Sequence, residues 1–168
     1  MKTFTEEEYH QFFMNYIPDP LMSTEPFYYS RENISRSYIY NHYYRDHYAH
    51  YGIFLNGIPV GSFQLKRIDT VKKTCEFGII LQNDSVKNKG IGTEAVRIGL
   101  NIAKDVFSIN TVYGDTSGRN KRMQRVFEKL GFILIETVQN AYEYENNDRD
   151  CRLVYKKTIN NSEEEEYE

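Results

Sequence analysis

The N-terminal third of the chain shows helical periodicity interrupted by turns. The run TEEEYHQFFMNY begins at Thr5, is acidic in its first turn, and spaces its aromatic residues so that they share one side of a helix. Thr5 with Glu8 three residues later is the capping-box pattern of a helix start, and the stretch IPDP ends this helix. A weaker helix is predicted from Arg31 to about Tyr44, because aromatic and β-branched residues lower its helix propensity.

The segment after the N-terminal helices has the pattern of a β-meander. YGIFL and PVGSFQLKRI flank Asn56-Gly57, a pair that favours a tight hairpin turn, and CEFGIIL follows as a third strand. A long helix to about Phe107, the short strand TVYGDT and a helix from Asn120 to Leu130 come next. Two strands, Phe132 to about Val138 and Cys151 to Lys156, close the pattern. This order predicts one mixed α/β domain over residues 1–159.

Composition and charge are those of a globular protein with an acidic end. Of 168 residues, 40% are hydrophobic and 27% are charged, and no stretch approaches the roughly 20 apolar residues of a membrane span. The net charge is −3, but the segment NNSEEEEYE holds five glutamates, which leaves 19 acidic against 21 basic side chains elsewhere. We therefore expect no nucleic-acid or membrane partner, and a disordered acidic tail at residues 160–168.

Cysteines and histidines give little sign of metal or disulfide chemistry. Cys75 and Cys151 lie in strand-like runs without metal-ligand spacing, and the N-terminus has no apolar signal segment. Both observations favour a reduced, cytoplasmic protein. His42, His47 and His50 match no zinc pattern, so we predict no metal site.

The segment VKNKGIGTEAV places lysines and glycines where the long helix begins. Gly90 and Gly92 let the backbone approach a ligand closely, and the first N–H groups of a helix attract an anion. Lys87 and Lys89 add positive charge. This segment predicts a seat for a phosphate group, with a purely structural glycine turn as the alternative.

Two other phosphate motifs fit the segment poorly. The P-loop needs a lysine after its last glycine, and Thr93 stands there instead. GIGTEA matches the dinucleotide-binding pattern G-x-G-x-x-A formally, but it follows a β-meander and the basic spacer QNDSVKNK rather than the first strand of an alternating βαβ unit. The hypothesis of an unrelated nucleotide-binding protein therefore rests on this pattern match alone.

The order basic-x-x-Gly-x-Gly, after a strand and before a long helix, resembles the pyrophosphate loop of the GNAT superfamily of N-acetyltransferases. Lys87 stands where the family pattern has Gln or Arg, and RNKRMQRVFEKLGF resembles the family's asparagine-led helix. The resemblance runs from about Gly52 to Tyr155, and the ribosomal-protein N-terminal acetyltransferase branch looks nearest. It implies a GNAT-like fold, with a mixed, mostly antiparallel, twisted sheet that contains a splayed strand pair and is flanked by helices.

The resemblance also implies acetyl-CoA as the cofactor. In the family the pantetheine arm lies along the splayed strand, here CEFGIIL, whose backbone N–H groups polarise the thioester carbonyl. The loop and helix start bind the pyrophosphate, and the asparagine that leads the next helix assists, although a plain N-cap is the alternative role for Asn120. The predicted cofactor-binding residues are Phe77, Gly78, Ile79, Ile80, Leu81, Lys87, Asn88, Lys89, Gly90, Ile91, Gly92, Thr93 and Asn120.

Direct transfer to a primary amine requires a base, because only the neutral amine is nucleophilic. Glu76 on the splayed strand is the first candidate, and an ion pair with Lys66 or Arg67 is its structural alternative. Asp115, at the end of VYGD, is the second candidate, with a turn-forming role as the alternative.

The general acid is where the chain departs from the family. Many members carry a tyrosine four residues before the glycine of the Gly-Phe pair, and this chain has Phe127, which cannot donate a proton. Ten of the 15 tyrosines precede Gly52, where the family roofs its acceptor site, so one of them could replace the acid or simply pack.

The predicted function is an acetyl-CoA-dependent N-acetyltransferase. Its acceptor would be the amine of a small molecule or of a protein N-terminus, and a homodimer is a candidate assembly. The alternative, prompted by Phe127, is a catalytically weak module of the same fold that binds or senses acyl-CoA.

Overall fold

A computed structural model describes residues 1–23 and 25–159, so the predicted acidic tail at 160–168 lies outside the described residues. Helix α1 (Glu6–Met14) begins with the predicted capping box, in which the Thr5 hydroxyl accepts from the Glu8 N–H and the Glu8 carboxylate accepts from the Thr5 N–H. Helix α2 (Arg31–Ile39) runs into a π-helical turn, Tyr40–Tyr44. The weaker helix prediction is therefore confirmed, with a last turn that is wound more loosely.

Six strands form one sheet in the spatial order β1-β2-β3-β4-β6-β5. The strands are β1 (Ala49–Leu55), β2 (Ile58–Asp69), β3 (Thr74–Leu81), β4 (Thr111–Ser117), β5 (Ile133–Glu143) and β6 (Arg149–Thr158). Strands β3 and β4 are parallel, and the other neighbours are antiparallel. Asn56 and Gly57 both have positive φ, as a tight hairpin turn requires. The mixed, mostly antiparallel sheet is thereby confirmed.

Helices cover both faces of the first three strands. Helix α3 (Ile91–Phe107) packs through Gly99 against Phe63 of β2, where a Cβ on Gly99 would lie 2.1 Å from the ring. Helix α4 (Lys121–Lys129) reaches the same face through Phe127. The N-terminal helices cover the other face, where Phe4, Tyr9, Phe12 and Ile34 form a second core cluster. Ile80 of β3 packs on this cluster, whereas its neighbours Ile79 and Leu81 face α3 and α4.

The parallel strands β3 and β4 stay together only briefly within the described residues. Their register runs Thr74–Thr111, Cys75–Val112 and Glu76–Tyr113, and the pairing ends there. Beyond Glu76, β3 continues for five residues beside β2 while β4 pairs with β6. The sheet is thus splayed at its centre, as the resemblance implied.

The ends of the sheet differ from the sequence-based expectation in length. The last hairpin is longer than predicted, because its ladder continues past bulges at Leu134/Glu136 and Val138/Tyr142 through residues without hydrophobic alternation. At the N-terminus, Lys2 forms an isolated antiparallel bridge with Gly52. No helix in the described residues is long and apolar enough to span a membrane.

Candidate functional site

The glycine loop opens toward solvent at the start of α3. Gly90 is the N-cap and has φ 78°, a left-handed conformation that glycine adopts without strain. A Cβ at Gly90 would meet nothing within 4 Å among the described residues, and one at Gly92 would meet only Leu81 Cδ1, at 4.0 Å. The α-helix leaves the N–H groups of its first turn without intrahelical partners. These donors therefore face open space that a phosphate group can fill.

This loop borders a cavity of about 420 Å³ between the end of β3, the start of α3 and the exposed side of α4. Nine of the thirteen predicted cofactor-binding residues line it: Ile79, Ile80, Leu81, Lys87, Asn88, Gly90, Gly92, Thr93 and Asn120. The other four do not line it: Phe77, Gly78, Lys89 and Ile91. Phe77 is a core residue, and Gly78 faces Gln64 and Lys66 on the N-terminal-helix side of the sheet.

Asn120 is the N-cap of α4, which is the structural role considered for it as the alternative. Its side chain accepts from the N–H of Met123, 3.2 Å away, and caps α4. It also lines the cavity, so capping and ligand contact are compatible at this position. The cap fixes the start of α4 beside the glycine loop.

The structure adds residues that the sequence reasoning missed, and Asp19 is the central one. Its Oδ2 lies 3.1 Å from Lys87 Nζ and 2.9 Å from an Arg122 guanidinium nitrogen. Lys87 also pairs with Asp84 at 3.0 Å, and its side chain is 9% exposed. The predicted phosphate lysine is therefore already held between two carboxylates. Asp19 belongs to the stretch IPDP, whose sequence signals only a helix stop.

Asp19 stays ionised because of these neighbours. Burial alone would raise the pKa of its carboxyl, but the Leu21 N–H and the charges of Lys87 and Arg122 outweigh burial, so the pKa is lowered. The cavity thus contains one carboxylate among several cationic side chains. Arg125 and Lys129 of α4 complete its basic wall.

The candidate base Glu76 lies outside this cavity. Its carboxylate accepts from Arg67 at 2.7 Å, the ion pair that was the structural alternative. It lines a second cavity of about 710 Å³, together with Lys66, Arg67 and Arg45. Because Glu76 is opposite Tyr113 in the last register pair, it stands where β3 and β4 begin to diverge.

The second candidate, Asp115, is exposed on β4, two residues beyond Tyr113. The Tyr142 hydroxyl donates to its Oδ2 at 3.4 Å, and burial together with Asp115 raises the pKa of Tyr142 to about 12. Alternation along the strands puts Asp115 and Glu76 on the same face of the sheet, the face of the N-terminal helices. The structure therefore brings the two carboxylates to one side of the splay, and neither lines the cavity at the glycine loop.

Phe127 is fully buried and stacks on Tyr155, with ring centroids 4.2 Å apart and planes 9° apart. It also contacts Phe77 and Phe132. The side chain is a core residue that joins β3, β6 and α4, and it supplies no proton.

Three histidines lie within hydrogen-bonding distance of polar groups of the protein. His50 Nε2 lies 2.5 Å from Ser62 Oγ, and His42 Nδ1 lies 2.9 Å from the Tyr38 carbonyl. His10 lies between the Tyr29 and Ser35 hydroxyls, 2.9 Å from each. In residues 1–23 and 25–159, no three His, Cys, Asp or Glu side chains form a group that could hold a metal ion.

Comparisons with known proteins agree with this arrangement. The structure is similar to RimL, a ribosomal L7/L12 alpha-N-protein acetyltransferase in complex with coenzyme A, with a TM-score of 0.79 and 18% identity over 94% of this chain and 92% of that one. It is also similar to a dodecameric spermidine N-acetyltransferase from Vibrio cholerae, with a TM-score of 0.73 and 16% identity over 94% and 91%. The microcin C7 self-immunity acetyltransferase MccE, in complex with acetyl-CoA and AMP, gives 0.72 and 22% over 92% and 87%.

These identities are low, so the three likenesses speak for the fold alone. No curated protein sequence matches the chain. Residues 1–133, however, match the sequence family described as Acetyltransferase (GNAT) domain, and they include the strand, the glycine loop and the two helices that build the cavity. The chain therefore belongs to the GNAT acetyltransferase family.

Proposed function

We propose that the protein is an N-acetyltransferase that uses acetyl-CoA and transfers the acetyl group directly to a primary amine. One observation carries the proposal: the splay of β3 from β4 and the open glycine loop of α3 border the same region of the molecule. The splay leaves backbone groups of β3 without a partner on β4, and the loop presents unpaired N–H groups beside it. A ligand that combines an amide-rich arm with a pyrophosphate suits both.

The residues that would hold coenzyme A follow from this arrangement. The N–H groups of Ile91, Gly92 and Thr93 would donate to the pyrophosphate, with Lys87, Asn88 and Lys89 beside it. The backbone of Phe77–Leu81 would pair with the pantetheine amides. The bound cofactor supplies an activated acyl group. The protein's part is to orient it, exclude water and remove a proton from the incoming amine.

The proton acceptor in this proposal is Glu76, directly or through a water, with Asp115 as the second candidate. Glu76 stands at the point of divergence, and its ion pair with Arg67 orients its carboxylate. An amine acceptor is supported by the related folds, whose names describe acetylation of a protein α-amino group and of spermidine. Four points stay predictions. They are the identity of the acceptor, assembly as a homodimer, a single domain over residues 1–159 followed by a tail, and a cytoplasmic location.

A second candidate function is an acyl-CoA-binding module without efficient catalysis. Phe127 favours it, because the position that carries a proton donor in many relatives is here a fully buried phenyl ring. The two functions share the cofactor site and differ only in turnover.

The test combines binding with turnover. Coenzyme A and acetyl-CoA should raise the melting temperature and bind in calorimetry, whereas NADH and ATP should have much smaller effects. Gly92→Asp should abolish the coenzyme A effect while the unliganded melting temperature stays near wild type, since a Cβ fits there. Normal binding by Gly92→Asp would refute the loop assignment.

Turnover is then measured as release of free thiol from acetyl-CoA with a panel of amines, peptides and polyamines. Thiol release that falls sharply in Glu76→Gln supports the transferase. Tight coenzyme A binding without release for any acceptor favours the binding module. A melting-temperature shift with NADH alone would contradict both.

A further inference from the structure

One segment of the chain crosses the open end of the splay. Residues 15–23, called the strap here, are fixed to the β3 side by the Ile17 N–H, which donates to the Gln82 carbonyl at 2.8 Å. They are fixed to the β4 side by the Leu21 carbonyl, which accepts from the Ser117 hydroxyl at 2.9 Å. The strap therefore crosses the gap between β3 and β4, along which a long ligand such as coenzyme A would lie.

Asp19 sits in the middle of the strap and uses its two carboxylate oxygens differently. Oδ1 accepts from the Leu21 N–H at 3.0 Å and so shapes the strap's own turn. Oδ2 accepts from Lys87 and Arg122, which come from opposite sides of the cavity. One anionic oxygen thus joins the glycine loop to α4.

The contacts of that oxygen are those a phosphate oxygen would make. Two cationic side chains converge on it at 3.1 and 2.9 Å, close to the start of α3, in a region where the Asp19 side chain is 21% exposed. Two cationic groups that contact the same oxygen repel each other, and an anion between them offsets that repulsion. Asp19 provides that anion from within the chain.

We infer that Asp19 is an internal stand-in for a phosphate group, which holds Lys87 and Arg122 together and must give them up when an acyl-CoA phosphate binds. The inference rests on the proposed function, and it adds Arg122 as a phosphate ligand and Asp19 as a residue that limits cofactor affinity. A carboxylate retained beside a pyrophosphate would repel it, because like charges in a partly buried site interact strongly. Lys87 is already neutralised by Asp19 and Asp84, so its attraction for the ligand is realised only after Asp19 moves.

The experiment must exclude the opposite role, in which Asp19 favours cofactor binding. Asp19 could orient Lys87 and Arg122 productively, in which case its carboxylate would assist binding. The two roles predict opposite signs for the same substitution. Asp19→Asn keeps the size of the side chain and an oxygen for the Leu21 N–H, and it replaces the anionic oxygen between Lys87 and Arg122 with a neutral amide nitrogen.

The experiment measures coenzyme A affinity of full-length variants by calorimetry. Asp19→Asn should bind coenzyme A about tenfold more tightly than wild type at low salt, since a like charge is removed from a partly buried site. The gain should shrink at high salt as the charges are screened. Pantetheine, which has no phosphates, should bind both proteins equally. Asp84→Asn is the matched control: its carboxylate also pairs with Lys87 but is 87% exposed, so the affinity should change by about twofold or less.

Arg122→Gln tests the seat independently and should weaken coenzyme A binding, leaving pantetheine binding unchanged. Melting temperatures without ligand show that each variant is folded. Unchanged or weaker coenzyme A binding by Asp19→Asn overturns the inference and leaves the proposed function intact, as does normal binding by Arg122→Gln. A wild-type protein that binds no coenzyme A overturns both.

Discussion

The two halves of the sheet are stabilised in different ways. Phe63 and Leu65 of β2 are each 1% exposed, because they lie on the face of β1–β3 that α3 covers. The N-terminal helices cover the other face. On β5, by contrast, Ile133 is 70% exposed and most of its neighbours in the strand are exposed as well. The first half is a three-layer core, whereas the outer strand of the second half is held chiefly by its ladder with β6. We therefore expect substitutions in the first half to cost more stability than substitutions on β5.

The largest expected contrast is between Phe63→Ala and Ile133→Ala. Truncation of Phe63 should lower the free energy of unfolding by about 4 kcal/mol, because it removes buried area and leaves a cavity. Truncation of Ile133 should change it by no more than about 0.5 kcal/mol, because the side chain is exposed. Urea denaturation measures both. A large loss for Ile133→Ala that depends on protein concentration would mean that a second copy covers β5.

Two glycines of α3 provide a second contrast. Gly99→Ala should cost about 3 kcal/mol, since its Cβ would lie 2.1 Å from the buried Phe63 ring and overpack the core. Gly92→Ala should instead gain up to about 1 kcal/mol from helix propensity, since its Cβ fits. The same denaturation assay compares them. Equal effects would show that packing against β2 does not distinguish the two ends of the helix.

Phe127 lies where the two halves meet, and Phe127→Tyr should destabilise the protein by about 2 kcal/mol through a buried hydroxyl and a tighter fit. The ring has no exposed surface, and its Cζ lies 3.0 Å from the position a Cβ would take on Gly114. Thermal unfolding with and without coenzyme A measures the effect. A variant as stable as wild type, with faster thiol release, would indicate that the hydroxyl finds a partner and serves as the missing acid.

The smallest expected effect is a loss of stability at acidic pH that originates in the first half of the sheet. Burial, with help from His42 and Arg45, lowers the pKa of His50 to about 3. The unfolded chain titrates near 6.5, so it binds more protons than the folded chain between these values, and stability must fall as the pH falls through 6.5. Between pH 7 and 5.5 this histidine alone should account for a loss of about 1 kcal/mol.

His50→Gln should remove that loss while keeping a hydrogen-bonding group for Ser62. His47→Gln, at an exposed histidine, is the control and should keep it. Urea midpoints at the two pH values give the comparison. The same acid loss in His50→Gln as in wild type would place the sensitivity in other groups.

Local features of the fold could be predicted from the sequence because neighbouring residues determine them. The capping box of Thr5 and Glu8 and the turn at Asn56-Gly57 are decided within four residues, and both are confirmed. The ion pair of Arg67 with Glu76 joins residues only nine positions apart, and the sequence already indicated it as an alternative. The glycine loop could be recognised because its glycines and lysines lie next to one another in the sequence.

The strap could not be predicted, because its contacts join distant parts of the chain. Asp19 is 68 residues from Lys87 and 103 from Arg122, and no periodicity links these positions. The length of the last hairpin was missed for a different reason. Its outer strand is exposed, so hydrophobic alternation, the signal used to delimit strands, is absent there. The cofactor and catalytic roles of the predicted site residues stay predictions until binding and turnover are measured.

The splay between β3 and β4 also bears on self-association. A strand whose backbone donors and acceptors lack a neighbour is normally a template for pairing with another molecule, and sheets usually protect such strands at their margins. Here the unpaired backbone past Glu76 lies in the middle of the sheet, under a segment tied to Gln82 and Ser117. In this position the backbone of β3 is shielded from a second polypeptide, so the splay carries little of the aggregation risk of an open edge.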